Sequence, residues 1–144
     1  MANAGQQPTL PANKCAACHL QLVWTVSATT HVDEWVTSKH AAYRVGCERC
    51  HGGDATTSDA SAAHRGVVAS ADRSSTVHRM ALPRMCGGCH AAAANAFAHS
   101  IHDELLQQGN PRAPTCITCH TSMATEVLAP AALEQRCREC HGKD

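Results

Sequence analysis

Hydrophobic and polar positions along this chain predict several short helices and no strand. The stretch from Ala91 to Gln108 lacks glycine and proline and is rich in alanine and leucine, which favours a helix. The Gly-Asn-Pro run at 109–111 ends it. A similar pattern predicts a helix from Val32 to Arg44, and a shorter one is predicted from Ala129 to Arg136. No strand signal appears elsewhere, so we expect a mainly α fold with much irregular structure.

All ten cysteines fall in five copies of one pattern, Cys-x-x-Cys-His. The cysteines of the five copies are, in chain order, Cys15 and Cys18, Cys47 and Cys50, Cys86 and Cys89, Cys116 and Cys119, Cys137 and Cys140. The histidines that follow them are His19, His51, His90, His120 and His141. This is the attachment signature of c-type haem, in which two thiols bind the haem vinyl groups and the adjacent imidazole binds the iron. The sequence therefore predicts five covalent haem c groups.

Zinc sites and disulfides are the alternative uses of closely paired cysteines. Zinc does not require a histidine directly after the second cysteine, and ten cysteines with five adjacent histidines exceed any simple set of zinc sites. Disulfides within each pair would join residues three positions apart and would not cross-link distant segments of the chain. Haem attachment accounts for every cysteine and is therefore favoured.

Six of the eleven histidines lie outside the five motifs, and five irons need up to five further ligands. We expect these distal ligands, and hence low potentials, to come from His31, His40, His64, His78 and His102. His40 and His102 are the best candidates, because each closes the same pattern, aromatic-x-x-Ser-x-His. His99, three positions before His102, is expected to be left over. The alternative sixth ligand is a methionine, which would raise the potential, from Met80, Met85 or Met123.

The order of haem motif, aromatic-x-x-Ser-x-His unit and haem motif occurs twice, over roughly residues 15–64 and 86–141. We expect a single domain over residues 1–144 that contains these two pattern repeats, with the fifth motif added to the second. The segment 52–76 between them is rich in Ser, Ala, Asp and Thr, which predicts a loop. Its length of about 25 residues is long for an idle connection, and iron ligation by His64 would explain it.

The chain has few side chains with which to build a core. Its only aromatic residues are Trp24, Trp35, Tyr43 and Phe97, and much of its 44% apolar content is alanine. We therefore expect small helices wrapped around a stack of five haems. Acidic and basic residues balance at 12 each, so the haem propionates should make the holoprotein acidic. No basic cluster is present, so we expect no nucleic-acid partner.

The apolar stretches are too short for a membrane span. The longest, Leu20 to Val26, contains Gln21 and Thr25. No basic region followed by an apolar region precedes the first motif, as a signal peptide would require. Because covalent haem attachment takes place outside the cytoplasm, we expect a periplasmic or extracellular protein from which the export signal has been removed.

The order Cys-x-x-Cys-His, aromatic-x-x-Ser-x-His, Cys-x-x-Cys-His-Gly resembles the extracytoplasmic multihaem cytochromes c. These include the tetrahaem carriers of ammonia oxidisers and the NrfB-like pentahaem donors to nitrite reductase. The resemblance covers Cys15 to His141. It implies closely stacked haem pairs that conduct electrons. The long gap between His51 and His64 departs from the more compact arrangement of some relatives.

Two function classes follow from this resemblance. The first is an electron carrier that relays electrons between redox protein partners, a donor and an acceptor, either alone or as a module of a larger conduit. The second is an oxidoreductase with one five-coordinate haem, open to a small nitrogen or sulfur oxyanion. The sequence lacks Cys-x-x-Cys-Lys, the variant that marks the catalytic haem of the related nitrite reductases. Because the spare histidines are also sufficient to close every iron, the carrier is favoured.

Overall fold

The computed structural model describes residues 13–22 and 26–142 of the chain. This part of the chain is mainly helical with irregular connections and has no strand, as the sequence predicts. The helices are α1 (Lys14–His19), α2 (Val26–Val36), α3 (Lys39–Ala42), α4 (Glu48–His51), α5 (Ala60–Ala63), α6 (Leu82–Gly87), α7 (Ala91–Ala98), α8 (Ile101–Gln107), α9 (Cys116–His120) and α10 (Pro130–His141). Trp24 and most of the apolar stretch from Leu20 to Val26 lie outside the described side chains.

Every Cys-x-x-Cys-His motif lies on a helix or at a helix end. Motifs one and four lie within α1 and α9, motif two begins at the N-cap of α4, motif three spans the end of α6, and motif five ends α10. The Asn13 side chain caps α1 by accepting a hydrogen bond from the backbone N–H of Ala16, at 3.1 Å. Helical backbone places residues three positions apart on neighbouring sites of one surface, so both thiols of a motif can reach the same bound group.

Each of the two long helices predicted around the aromatic-x-x-Ser-x-His units is in fact two helices. The prediction from Val32 to Arg44 is corrected by a break between α2 and α3, and that from Ala91 to Gln108 by a break between α7 and α8. Ser38 and Ser100 occupy the breaks in extended backbone, and each side chain caps the helix that follows. A serine that caps its own helix start competes with continuation of the preceding helix.

Two other predictions are also modified by the structure. The predicted loop over 52–76 contains the one-turn helix α5, capped by Asp59. At the start of this segment Gly53 has a φ of 84°, and a Cβ there would collide with the carbonyl oxygen of Ala63, so glycine permits the close turn. The helix predicted from Ala129 to Arg136 continues to His141 as α10. No helix of the described residues is long and apolar enough to cross a membrane.

The protein core is small. A cluster of Ala16, Val32, Trp35 and Ala41 packs α1, α2 and α3 together, and Met123 packs against it from far along the chain. The other buried apolar side chains are Leu82, Leu106 and Ala113. Leu106 is the only large side chain that is fully buried among the described residues. Among the described residues this is a small set of buried side chains compared with the core of an ordinary domain of this length.

Candidate haem centres

Three histidines of the Cys-x-x-Cys-His motifs each face one histidine from outside the motifs. The ring centroids are 6.0 Å apart for His19 and His64, 6.1 Å for His40 and His90, and 6.2 Å for His102 and His141. Every pair contains one motif histidine and one spare histidine. The six residues come from segments that are well separated in the chain, so tertiary structure brings the two members of each pair together.

The spacing within the pairs suits two ligands on opposite sides of one metal. Imidazole nitrogens bind transition metals at about 2 Å, which puts the centroids of two opposed rings roughly 6 Å apart. The ring planes in the three pairs are inclined by 36°, 42° and 30°. No three His, Cys, Asp or Glu side chains of the described residues converge as a tetrahedral zinc site would require.

Hydrogen bonds at Nδ1 orient several of these rings. His64 Nδ1 lies 2.8 Å from the carbonyl oxygen of Ala60, and His120 Nδ1 lies 3.1 Å from that of Glu126. A carbonyl oxygen only accepts, so the proton is on Nδ1 and the lone pair of Nε2 is free for a metal. Thr125 Oγ1 lies 3.3 Å from Nδ1 of His40 and can orient that ring in the same way.

Burial keeps two of the histidines neutral, which is the form that binds metal. Burial, and then the nearby charge of His90, lowers the pKa of His40. Burial, followed by the charges of His31 and His19, lowers the pKa of His51. His31 is thus close enough for its charge to act on His51 of motif two, although the two rings form no facing pair in the described structure.

The remaining spare histidines, His78 and His99, form no ring pair with His120 in the described part of the chain. The next residue, Arg79, donates hydrogen bonds to the carbonyls of Asn110 and Ala113, at 3.1 and 2.7 Å. These bonds hold His78 beside the segment that leads into α9 and motif four. His99 ends α7, is exposed, and has its Nδ1 2.8 Å from the carbonyl oxygen of Asn95.

Motifs that follow each other in the chain lie side by side in space. The Asn13 amide, next to α1, donates to Glu48 of α4 at 2.9 Å, which joins motifs one and two. The Thr76 hydroxyl, before motif three, donates to the Cys50 carbonyl of motif two at 2.5 Å. Between motifs four and five, Glu126 binds Arg136 of α10 at 3.7 Å. Each of these contacts therefore joins segments that lie at or near two consecutive motifs.

The thiols of consecutive motifs also lie close enough to influence each other's pKa values. Burial, and then the charge of Cys15, raises the pKa of Cys47 to about 11. Burial, and then the charge of Cys89, raises the pKa of Cys50. A hydrogen bond with Cys116 raises the pKa of Cys86. In motif four, burial and then the charge of Cys137 raise the pKa of Cys119. No disulfide joins any of the ten thiols, so all remain available for thioether bonds.

The residues present fit haem c. The paired thiols of all five motifs would form its covalent bonds, and the paired imidazoles at three of the motifs would bind its iron. A groove of about 510 Å³ lies next to His40, between residues 37–39 and 124–129. Ile101, next to His102, and Ile117, inside motif four, are apolar residues that are 62% and 39% exposed. The buried hydroxyl of Thr121, directly after His120, has no partner in the described structure and could bind a propionate.

The sequence does not reveal which histidine serves which motif. His40 lies between motifs one and two but pairs with motif three, and His102 lies between motifs three and four but pairs with motif five. Each of these two histidines therefore faces the second haem motif that follows it in the chain, and not the first. Nothing in the sequence marks Thr125 and Glu126 as residues that contact these histidines. Neither belongs to a motif, Glu126 acts through its backbone, and Thr125 reaches a ring 85 positions away.

The fold and the motifs together define a mainly helical chain that carries five Cys-x-x-Cys-His units, three of them with a facing histidine. Comparisons of the chain with protein-family models, with curated protein sequences and with solved structures find no match. The function proposed below is therefore supported by the motifs and by the geometry of this chain.

Proposed function

We propose that the protein is a periplasmic or extracellular pentahaem cytochrome c that relays electrons between a donor and an acceptor protein. The observation that carries this proposal is the set of three histidine pairs, each a motif histidine about 6 Å from a spare histidine. Haem iron supplies one-electron redox chemistry when bound, and two histidine ligands close it to substrates. The chain resembles the extracytoplasmic multihaem carriers in its motif order.

The ligand assignment follows from these pairs. His64 serves motif one, His40 motif three and His102 motif five, with the proximal ligands from the motifs themselves. His31 serves motif two, supported by its proximity to His51. His78 remains for motif four, next to the segment that leads into α9.

Contacts between consecutive motifs support a relay. A thiol of each motif lies near a thiol of the next one, in the pairs Cys15 and Cys47, Cys50 and Cys89, Cys86 and Cys116, and Cys119 and Cys137. Haems attached to these thiols would form an unbroken series from motif one to motif five. A relay of this kind requires no substrate pocket, because electrons enter and leave at haems near the protein surface.

An oxidoreductase with one five-coordinate haem is the second candidate, and one observation at motif four favours it. The backbone N–H of Met80 donates to Nδ1 of His78 at 3.3 Å. That bond leaves the proton of a neutral imidazole on Nε2, the opposite arrangement from His64. In this orientation Nε2 of His78 is not ready to bind iron, so motif four is where an open haem is to be sought.

Two measurements test the proposed function. Intact mass and haem staining after denaturing electrophoresis should show five covalent haems, and the mass of the bare polypeptide would contradict the proposal. Magnetic resonance of the ferric holoprotein should then show only low-spin iron. A high-spin signal from about one haem in five would favour the oxidoreductase, and replacing His78 with alanine would then leave that signal unchanged.

A further inference from the structure

The six residues after motif four, Thr121 to Glu126, contact the candidate iron ligands of two different motifs; we call them the 121–126 loop. At its end, the Glu126 carbonyl accepts from Nδ1 of His120 at 3.1 Å, and the Glu126 N–H donates to the His120 carbonyl at 2.7 Å. One residue earlier, Thr125 Oγ1 lies 3.3 Å from Nδ1 of His40. His40 faces His90 of motif three.

The backbone of the 121–126 loop is strained at the residue that follows His120 and at the residue that contacts His40. Thr121 and Thr125 have φ values of 63° and 43°, in the left-handed region that β-branched residues avoid. Such strain persists where the surrounding structure fixes the conformation, and it is concentrated at functional sites. Met123, between the two threonines, packs against the Trp35 cluster and anchors the loop to the first half of the chain.

The loop is therefore held in one conformation by contacts at its middle and at its end. A hydroxyl placed on Nδ1 of an axial histidine fixes the ring plane and the tautomer. When the Nδ1 proton is donated to that hydroxyl, the imidazole becomes a stronger donor to iron and favours the oxidised state. The Thr125 hydroxyl has this position on His40, although the two residues are far apart in the sequence.

We propose that Thr125 is a positioning residue for the haem of motif three, and that the 121–126 loop orients the axial histidines of motifs three and four as one unit. This inference rests on the proposed function, since it assigns His40 and His120 to two irons. It adds that the potentials of these two adjacent haems are set by a single short segment that binds neither haem covalently.

The test compares Thr125→Val with Thr125→Ser in the five-haem holoprotein. Valine keeps the shape and the backbone strain of threonine but removes the hydroxyl, whereas serine keeps the hydroxyl. In a spectroscopic redox titration, Thr125→Val should move one of the five midpoint potentials upward, and Thr125→Ser should leave it near the wild-type value. The low-spin ferric resonance of the same haem should shift as the ring of His40 turns.

Thr37→Val is the matched control. Thr37 directly follows α2, and its hydroxyl donates to the carbonyl of Glu34 in that helix at 3.0 Å. The residue lines the same groove as Thr125. This variant should change none of the five potentials. A change equal to that of Thr125→Val would mean that the groove responds to any lost hydroxyl, and it would overturn the inference.

Wild-type potentials and resonances in Thr125→Val would also overturn the inference, while a count of five haems by mass would leave the proposed function intact. If the valine variant carries fewer than five haems, Thr125→Ala replaces it, since alanine only removes atoms. One measurement needs no variant. In the reduced wild-type protein, nuclear magnetic resonance should detect an Nδ1 proton of His40 that is protected from solvent exchange, and rapid exchange of that proton would contradict the role of Thr125.

Discussion

The two aromatic-x-x-Ser-x-His units have the same local structure in different surroundings. In both, a helix ends just after the aromatic residue, a serine caps the next short helix, and the histidine is the second residue of that helix. Trp35 is only 6% exposed, lies in the main cluster and donates from its indole N–H to the Val45 carbonyl at 2.9 Å. Phe97 is half-buried and belongs to no such cluster in the described structure.

The histidines of the two units differ in a corresponding way. His40 reaches from the first half of the chain to motif three and contacts Thr125, whereas His102 pairs with His141 within the second half. The comparison teaches that a short sequence pattern determines how a ligand is presented, by ending one helix and starting another. The identity of its partner is determined by tertiary packing, which the pattern does not contain.

Replacing the two histidines should give the largest effects and should separate the two units. His40→Ala and His102→Ala should each convert about one haem in five from low to high spin, at motif three and motif five respectively. The two pairs close loops of about 50 and 39 positions, so chain entropy makes their closure differ by only about 0.2 kcal/mol. A greater loss of stability in His40→Ala would therefore come from the link between the two halves.

Ferric-state magnetic resonance and urea unfolding followed by haem absorbance measure the two effects. The control is His99→Ala, which removes an exposed histidine with no facing motif histidine in the described structure and should leave all five haems low-spin. If His99→Ala produced a high-spin haem and His102→Ala left all haems low-spin, the repeated pattern would not identify the iron ligand.

The next largest effects are expected from the aromatic residues of the two units, whose replacement should lower the unfolding free energy by different amounts. Trp35→Ala removes a buried side chain and its hydrogen bond and should cost about 3–5 kcal/mol of unfolding free energy. Phe97→Ala removes a partly buried ring and should cost less, about 1–2 kcal/mol, because part of its apolar area is already in water. Urea unfolding of the two holoproteins compares them. An equal cost at both positions would contradict the asymmetry and would indicate that Phe97 packs on a haem.

Sequence and structure agree where the information is local. The mainly helical class, the helical structure around the two units and the helix that leads into motif five could be predicted, because spacing and helix propensity act over a few residues. The short helices at motifs one to four were not predicted. The helix breaks at Ser38 and Ser100 were missed, although both serines were already part of the noted pattern. Alanine-rich sequence favours an unbroken helix on propensity alone, and the competing side-chain cap is a single hydrogen bond in each case.

The same distinction between local and long-range information applies to the candidate sites. The proximal histidines follow from the motifs, and the spare histidines follow from a count. The pairing of His64 with His19, across the whole second motif, follows from neither. It depends on the turn at Gly53 and on the one-turn helix α5, where His64 Nδ1 meets the Ala60 carbonyl. Long-range packing of this kind leaves no mark in a single sequence, and in this chain the haems themselves would direct it.

The smallest effects are expected at the two capping serines, and they test whether the units are equivalent in local structure. Ser38→Ala and Ser100→Ala each remove the acceptor for one backbone N–H and should each cost about 1 kcal/mol of unfolding free energy. Glycine is tolerated at this position, so Ser38→Gly and Ser100→Gly should cost only a few tenths of a kcal/mol. Ser38 is 5% exposed and Ser100 is half-buried, so alanine should cost somewhat more at Ser38.

Urea midpoints of the four holoproteins provide the comparison, with Ser61→Ala on the exposed face of α5 as control. Equal costs for alanine and glycine would mean that the serines act through tertiary contacts instead of as caps, and the shared local structure would then not explain how the two histidines are presented.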